Sequence, residues 1–391
     1  MQVNPYTPRS PLPATLAGRH HELAVADQVI APVLRTKRAA EGGLVLFGVR
    51  GIGKTATLRA IARHAQADLG FVTVWASAAK GQPFLPSLAP TIRTTLENNE
   101  VLARDAWSLE SLGIEIGLGP VKASATASRH GAPEPSAWSI GDVERLLRET
   151  ARLCAEARGS QLGSGMLLFV DELHAVPNDE LAVLLNALQN IAHDEFFSPP
   201  FAFFAAGLPS IRGIATVAAT FGERTEFLAV PSLTAEAVHA ALSEPAAKSG
   251  VGFDQDALEY LAEATRGYPF FVQLYGYHTW AVAHPSEGSV LTLSDAKAGV
   301  LDAHDSVINL YTARYEATTP AERAFVIALA ETGGDDPVRR ADIATALGRS
   351  TQAISDVRDR LIDKAVIVEE TRGFVKFTLP GFAQYVLDEQ K

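Results

Sequence analysis

Apolar residues recur at helical spacing from His21 to Arg38, with Leu23, Val25, Val29, Ile30, Val33 and Leu34 on one side, until Gly42 and Gly43 break the pattern. Leu44 to Phe47 then reads as a buried strand, an amphipathic helix follows Lys54, and Phe71 to Trp75 reads as a second strand. The alternation continues with helices over Pro86 to Leu102 and Ile140 to Arg158, a strand over Met166 to Val170 and a helix over Asp179 to His193. Phe201 to Ala206 supplies a further strand, and Phe227 to Val230 a candidate fifth. Strands alternating with helices predict an α/β fold with a parallel sheet. From Pro231 the strands stop, and Thr234 to Ala246, Asp254 to Thr265, Tyr268 to His284 and Ser294 to Thr318 predict an all-α lid. Helices over Ala321 to Ala330, Arg340 to Leu347 and Ser350 to Lys364 precede Val366 to Val368, a turn at Glu370 to Gly373, and Phe374 to Phe377, which is a winged-helix pattern. The expected domains are residues 1–230, 231–318 and 319–391, with no internal repeat.

Composition narrows the function. The chain has 391 residues, 47% of them hydrophobic, enough apolar surface for more than one core. A formal net charge of -11 excludes a non-specific polyanion binder, so any nucleic-acid contact must be local. The single cysteine, Cys154, leaves no intramolecular disulfide and no cysteine-based metal site. The Pro-rich stretch Met1 to Arg19 lacks an apolar run, and nothing later approaches the ~20 apolar residues of a membrane span, so a cytoplasmic protein is expected. Gly, Ser, Ala and Pro crowd the stretch from Gly113 to Trp138, which reads as a surface insertion.

The chemistry begins after the first strand. Gly48-Val49-Arg50-Gly51-Ile52-Gly53-Lys54-Thr55 carries the full P-loop pattern between a strand and a helix, the context that motif requires. Its glycines let successive N–H groups converge on a phosphate, and the helix N-terminus adds partial positive charge. Gly48, Gly51, Gly53, Lys54, Thr55 and Ala56 are the expected nucleotide-binding set, with Lys54 reaching the β- and γ-phosphates and Thr55 on Mg²⁺. The apolar run ending in Asp171-Glu172 brings one acid to the metal and the next to an attacking water as general base. The expected cofactors are ATP and Mg²⁺, and the expected reaction is hydrolysis to ADP and phosphate, catalysed by Lys54 and Glu172.

The P-loop, the Asp-Glu strand end and a helical lid containing Gly267-Tyr268-Pro269 resemble AAA+ ATPases related to the origin-recognition initiators and the STAND signalling NTPases. The resemblance implies that Gly18 and Arg19, within Leu16 to Leu23, lie against the adenine, and that Pro269 faces the nucleotide. It also implies that Arg224, ahead of the last core strand, completes a neighbouring subunit's site, in a nucleotide-dependent homo-oligomer with assembly-dependent turnover, which departures from the family pattern make slow. The alternative for Arg224 is a surface ion pair with Glu223 or Glu226. Two departures stand out: Ala205-Ala206-Gly207 is apolar where such enzymes often carry a polar sensor, Ser210 being the nearest substitute, and Phe270 follows Pro269 where initiators often place a second sensing arginine. Arg266 is close by in sequence. The histidines, His174 among them, lack metal-ligand spacing and read as ordinary.

In the C-terminal module Ile343, Leu347, Ile354, Val357 and Leu361 form one apolar face across two helices. Arg349, Gln352, Ser355, Arg358 and Arg372 are candidate contacts to duplex DNA. Asp356 and Asp359 oppose such docking, and Phe374, Phe377, Phe382 and Tyr385 read as packing for the wing. Two readings stand side by side: an initiator-like ATPase that binds DNA, and a STAND-like regulatory scaffold that assembles with a protein partner. A third, nucleotide held without hydrolysis, is opposed by Glu172.

Overall fold

The three inner strands of the main sheet are nearly continuous apolar runs because helices cover both of its faces, whereas the two edge strands are part-exposed. The computed structural model describes residues 2–10, 12–101, 138–157, 163–218 and 224–391. Apart from Trp138, the stretch read as an insertion lies outside them.

Helix α1 (His20–Thr36) leads to β1 (Leu44–Phe47), α2 (Lys54–Ala67), β2 (Val72–Ser77), α3 (Leu85–Asn98), α4 (Ile140–Glu156), β3 (Met166–Asp171), α5 (Asn178–His193), β4 (Phe201–Gly207), α6 (Ile211–Ala218) and β5 (Glu226–Ala229). The five strands are parallel in the order β2-β3-β4-β1-β5. Successive side chains leave opposite faces. Leu44, Leu46, Leu167 and Phe169 pack with Ile30 and Val33 of α1 and Leu58 and Ile61 of α2. Val45, Leu168 and Val170 pack with Leu88 of α3, Leu146 of α4 and Leu184 of α5. On the first face Trp75, Phe169 and Phe204 stack across three strands at centroid spacings of 5.9 and 5.1 Å, capped by the Arg59 guanidinium. This is a P-loop NTPase αβα sandwich, and the region after it is mostly helical.

That region holds α7 (Ala235–Lys248), β6 (Gly252–Phe253), α8 (Gln255–Thr265), α9 (Pro269–Ala283), β7 (Val290–Leu291), α10 (Leu293–Asp302) and α11 (His304–Glu316). The continuous helix expected from Ser294 to Thr318 is broken at Ala303, whose N–H reaches both Gly299 O and Leu301 O as the turn tightens. Gly299 seats against the main chain of Thr279, where a Cβ would stand 2.5 Å from its Cα, so packing on α9 sets the course of α10.

The Pro-rich lead is tied down on these helices. Tyr6 is buried and donates its hydroxyl to Leu242 O, Asn4 Nδ2 donates to Tyr277 O at 3.0 Å, and Thr7 N–H donates to Gln273 Oε1 at 3.1 Å.

Beyond α11 come α12 (Pro320–Gly333), β8 (Val338–Arg339), α13 (Arg340–Ala346), α14 (Ser355–Asp363), β9 (Ile367–Thr371), β10 (Phe374–Phe377) and α15 (Phe382–Asp388). The three strands form an antiparallel sheet ordered β8-β10-β9. The helix expected from Ser350 starts five residues later, because the Ser350 hydroxyl accepts from Ala353 N–H and closes a turn first. Helix α15 was not foreseen; its Phe382 and Tyr385 pack on Tyr311 of α11 at 5.6 Å each. Buried Glu322 joins this region together, bonding Lys364 Nζ at 2.6 Å and Arg360 Nε at 3.3 Å. Among the described residues no helix is long and apolar enough to cross a membrane.

Candidate functional site

The loop between β1 and α2 turns on two glycines in the left-handed region, Gly51 at φ 79° and Gly53 at φ 97°, which a side chain would strain. A Cβ on Gly51 would also strike the Tyr268 hydroxyl. Gly48 is needed for closeness instead, with Val230 O 3.3 Å from where its Cβ would be.

Lys54, the first residue of α2, folds back so that Nζ donates to Gly48 O and Val49 O, each at 2.9 Å. Burial pushes its pKa down to about 8; Glu172 and Asp171 oppose the drop, while Arg50 adds to it. Thr55 donates its hydroxyl to Asp171 Oδ2 at 2.9 Å, joining the start of α2 to the carboxyl end of β3. Burial raises the Asp171 pKa, and the Thr55 bond pulls the other way. Among the described residues no three His, Cys, Asp or Glu gather as a metal cluster. Thr55 and Asp171 offer two hard oxygens beside the phosphate loop, which suits a magnesium ion that takes its remaining ligands from phosphate and water.

Glu172 follows in the left-handed conformation, φ 56°, and its N–H donates to Asp171 Oδ1 at 3.0 Å. Its Oε2 lies 3.2 Å from Nε2 of His174, in the 3₁₀ turn Leu173–Ala175. The other ring nitrogen, Nδ1, accepts from Leu208 N–H at 3.2 Å.

These groups open into a cavity of about 460 Å³. Arg50, Gly51, Gly53, Lys54, Thr55, Ala56 and Glu172 line the core side, and Pro269, Phe270 and Gln273 of α9 line the helical side. Leu233 and Ala241 add to the helical side, and a third wall comes from the lead segment, through Thr7, Pro8, Ser10, Leu16, Ala17 and Arg19. Arg19 is buried and donates from Nη2 to Ile52 O at 2.8 Å. Gly18 does not face the cavity; at φ 66° it presses on α7, where a Cβ would stand 2.6 Å from Ala237 Cβ. Pattern reasoning missed Thr7, Pro8, Ser10, Gln273 and Tyr268, whose hydroxyl donates to Arg50 O. Burial raises the Tyr268 pKa to about 12, so it stays a donor.

Residues 15–197 match the family model described as AAA ATPase domain. This stretch is thus similar to AAA ATPase domains. Residues 308–386 match a model described as Domain of unknown function (DUF8462). Among solved structures, the Walker-type ATPase PABY2304 of Pyrococcus abyssi aligns with TM-score 0.58 at 14% identity, over 95% of this chain and 96% of its own. The Aeropyrum pernix ORC2 protein aligns with TM-score 0.58 at 12% identity, over 97% and 96% respectively. At such identities the likeness is one of fold. No curated protein sequence matches.

The remaining candidates lie away from the cavity. Arg224 precedes β5, and β5 runs parallel to β1 with Glu226 beside Leu44, so Arg224 sits at the sheet edge opposite the phosphate loop. A four-residue strand spans roughly 13 Å, which separates Arg224 from Lys54 of its own chain. Its guanidinium meets His193 Nε2 at the end of α5. Arg266 turns away as well, pairing with Asp335 at 2.7 Å. Ser210 does not line the cavity. In the C-terminal region Arg349, Gln352 and Arg372 are exposed. Gln352 stands in the turn before α14, and half-buried Ser355 donates its hydroxyl to Thr351 O at 3.0 Å. Arg358 is mostly covered and bonds Asp359 at 3.0 Å.

Proposed function

We propose that this protein is a nucleotide-controlled switch that hydrolyses ATP, built as an αβα core over 1–230, a helical lid over 231–318 and a winged helix over 319–391. The observation that carries it is the contact between Thr55 and Asp171 beside a loop whose lysine is already turned inward. The loop amides and the N-terminus of α2 bind the triphosphate, and Lys54 exchanges its two carbonyl partners for phosphate oxygens. Thr55 and Asp171 would hold Mg²⁺, which when bound neutralises charge developing on the phosphates. Glu172 takes a proton from the attacking water. Gly18 holds the lead against α7 so that Arg19 reaches the loop, and Pro269 encloses the nucleotide from the lid side and Leu16 from the lead.

Arg224 serves a second copy of the chain. Its position at the far edge of its own sheet supports action in trans, a head-to-tail contact that generates a ring or a filament. The test is ATP turnover per subunit against protein concentration for wild type, Glu172→Gln and Arg224→Ala. Wild-type turnover that rises with concentration and falls sharply in both variants is the expected result; turnover in Arg224→Ala that still rises with concentration as in wild type removes the trans role.

The exposed Arg349, Gln352 and Arg372 support duplex DNA as the partner of the C-terminal unit. Binding that weakens with salt and with Arg349→Ala plus Arg372→Ala checks this. The pairing of Arg358 with Asp359, and of Arg360 and Lys364 with Glu322, favours a second reading, a STAND-like scaffold for a protein partner. In that case ATP changes the oligomeric state and DNA has no effect.

A further inference from the structure

We propose that His174 is a positioning residue for hydrolysis, holding the Glu172 carboxylate against the cavity through Nε2–H while the end of β4 fixes the tautomer of its ring. This rests on the reading of Glu172 as general base. The geometry has three parts. Leu208 N–H points at Nδ1, so that nitrogen must be the acceptor and the ring's N–H is left on Nε2. Nε2 in turn faces Glu172 Oε2 at 3.2 Å. Glu172 in this arrangement lines the cavity that contains Lys54 and Thr55, so the contact accompanies a carboxylate directed toward the reacting end of the nucleotide.

Two further observations fit. The His174 side chain is only 14% exposed, and burial, with Lys54 and Arg50 adding to it, pushes its pKa down to about 4, so the ring is neutral near pH 7 and carries one proton. The residues closing β4, Ala205, Ala206 and Gly207, bring no polar side chain to this place. The main chain just after them does, through Leu208, and His174 relays it to Glu172. The histidine therefore does for the carboxylate what a second group does for a base in any oriented pair: it restricts the carboxylate's rotation without touching substrate.

Asparagine and glutamine separate the two bonds. In His174→Asn the side-chain oxygen takes the place of Nδ1 and still accepts from Leu208, but nothing reaches Glu172. In His174→Gln the amide N–H extends to about the position of Nε2. The experiment measures steady-state ATP turnover and the affinity of a fluorescent ATP analogue for the full-length chain as wild type, His174→Gln, His174→Asn, Glu172→Gln and Glu172→Gln with His174→Asn. The expected result is a roughly 10- to 100-fold loss of kcat in His174→Asn with nucleotide affinity unchanged, near-complete retention in His174→Gln, and no additional loss when His174→Asn is placed on Glu172→Gln. Wild-type or faster turnover in His174→Asn overturns the proposal, as does an equal loss of nucleotide affinity or a further loss in the double variant. Should the Asn variant not fold, a folded Gln variant as slow as Glu172→Gln overturns it equally, and one near wild type supports it. If Glu172→Gln itself turns over at the wild-type rate, the general-base reading is what fails.

Discussion

The hydroxyl of Tyr268, just ahead of α9, donates to the main-chain carbonyl of Arg50 inside the phosphate loop. One bond thus links the helical region to the element that would carry the nucleotide's charge. Tyr268→Phe keeps the ring, which packs on Phe271 at 5.1 Å, and removes only the donor. A lost neutral hydrogen bond costs about 1 kcal/mol, so nucleotide affinity should fall about fivefold with little change in secondary structure. Fluorescence titration with labelled ATP checks it; unchanged affinity means the helical region and the loop are not coupled through this bond.

The depressed pKa of Lys54 gives nucleotide binding a pH dependence of definite sign. Without nucleotide the ammonium loses its proton near pH 8, and phosphate oxygens beside it raise that value. Binding therefore takes up a proton above pH 8, and affinity is full below that pH and weakens as pH rises past it. Titrations between pH 7 and 9.5 test this. Lys54→Arg, whose charge does not titrate in the range, should bind with a flat profile.

His174 shifts stability in the opposite direction along the pH axis. Its ordinary value is 6.5, and the folded protein lowers it to about 4. Between those values the unfolded chain binds a proton that the folded chain refuses. The contribution is present in full above pH 6.5 and is lost as pH falls toward 4, at most about 3 kcal/mol. Urea unfolding of wild type and His174→Gln from pH 7.5 to 4.5 should show the variant losing less stability on acidification.

Glu322 should matter to the C-terminal region beyond its place on a helix. It is fully buried, accepts from Thr319 N–H at 2.8 Å, and bonds Lys364 and Arg360 from α14 and its end. Both cations are partly exposed and can return to water, so Glu322→Ala removes a cap and two charged bonds without stranding a buried charge. A loss of about 2 kcal/mol follows, readable as an earlier transition in denaturant. A shift under 0.5 kcal/mol contradicts that estimate.

How far these features were legible depends on the distance along the chain over which they are made. The phosphate loop is eight consecutive residues, and Asp171 ends an unbroken apolar strand, so both are visible from local pattern alone. The strand order, with β1 between β4 and β5, follows the alternation only in class, because register is chosen by packing. Tyr268 meets Arg50 across 218 positions and Thr7 meets Gln273 across 266, and neither contact has a period or a motif to announce it. His174 is two residues from Glu172, yet its tautomer is set by Leu208, 34 positions on. Ala303 ends a helix whose apolar spacing reads on past it, and Gly299 seated on Thr279 is a contact that spacing does not announce.

The segment ahead of the AAA ATPase match is a wall of the chamber and is anchored to the helical region at several points. A fragment trimmed to the matched boundary at residue 15 would preserve every phosphate-loop residue and yet open the chamber on one flank and remove the bonds of the lead to Leu242, Tyr277 and Gln273. Family boundaries would make a misleading guide to the smallest working piece of this polypeptide.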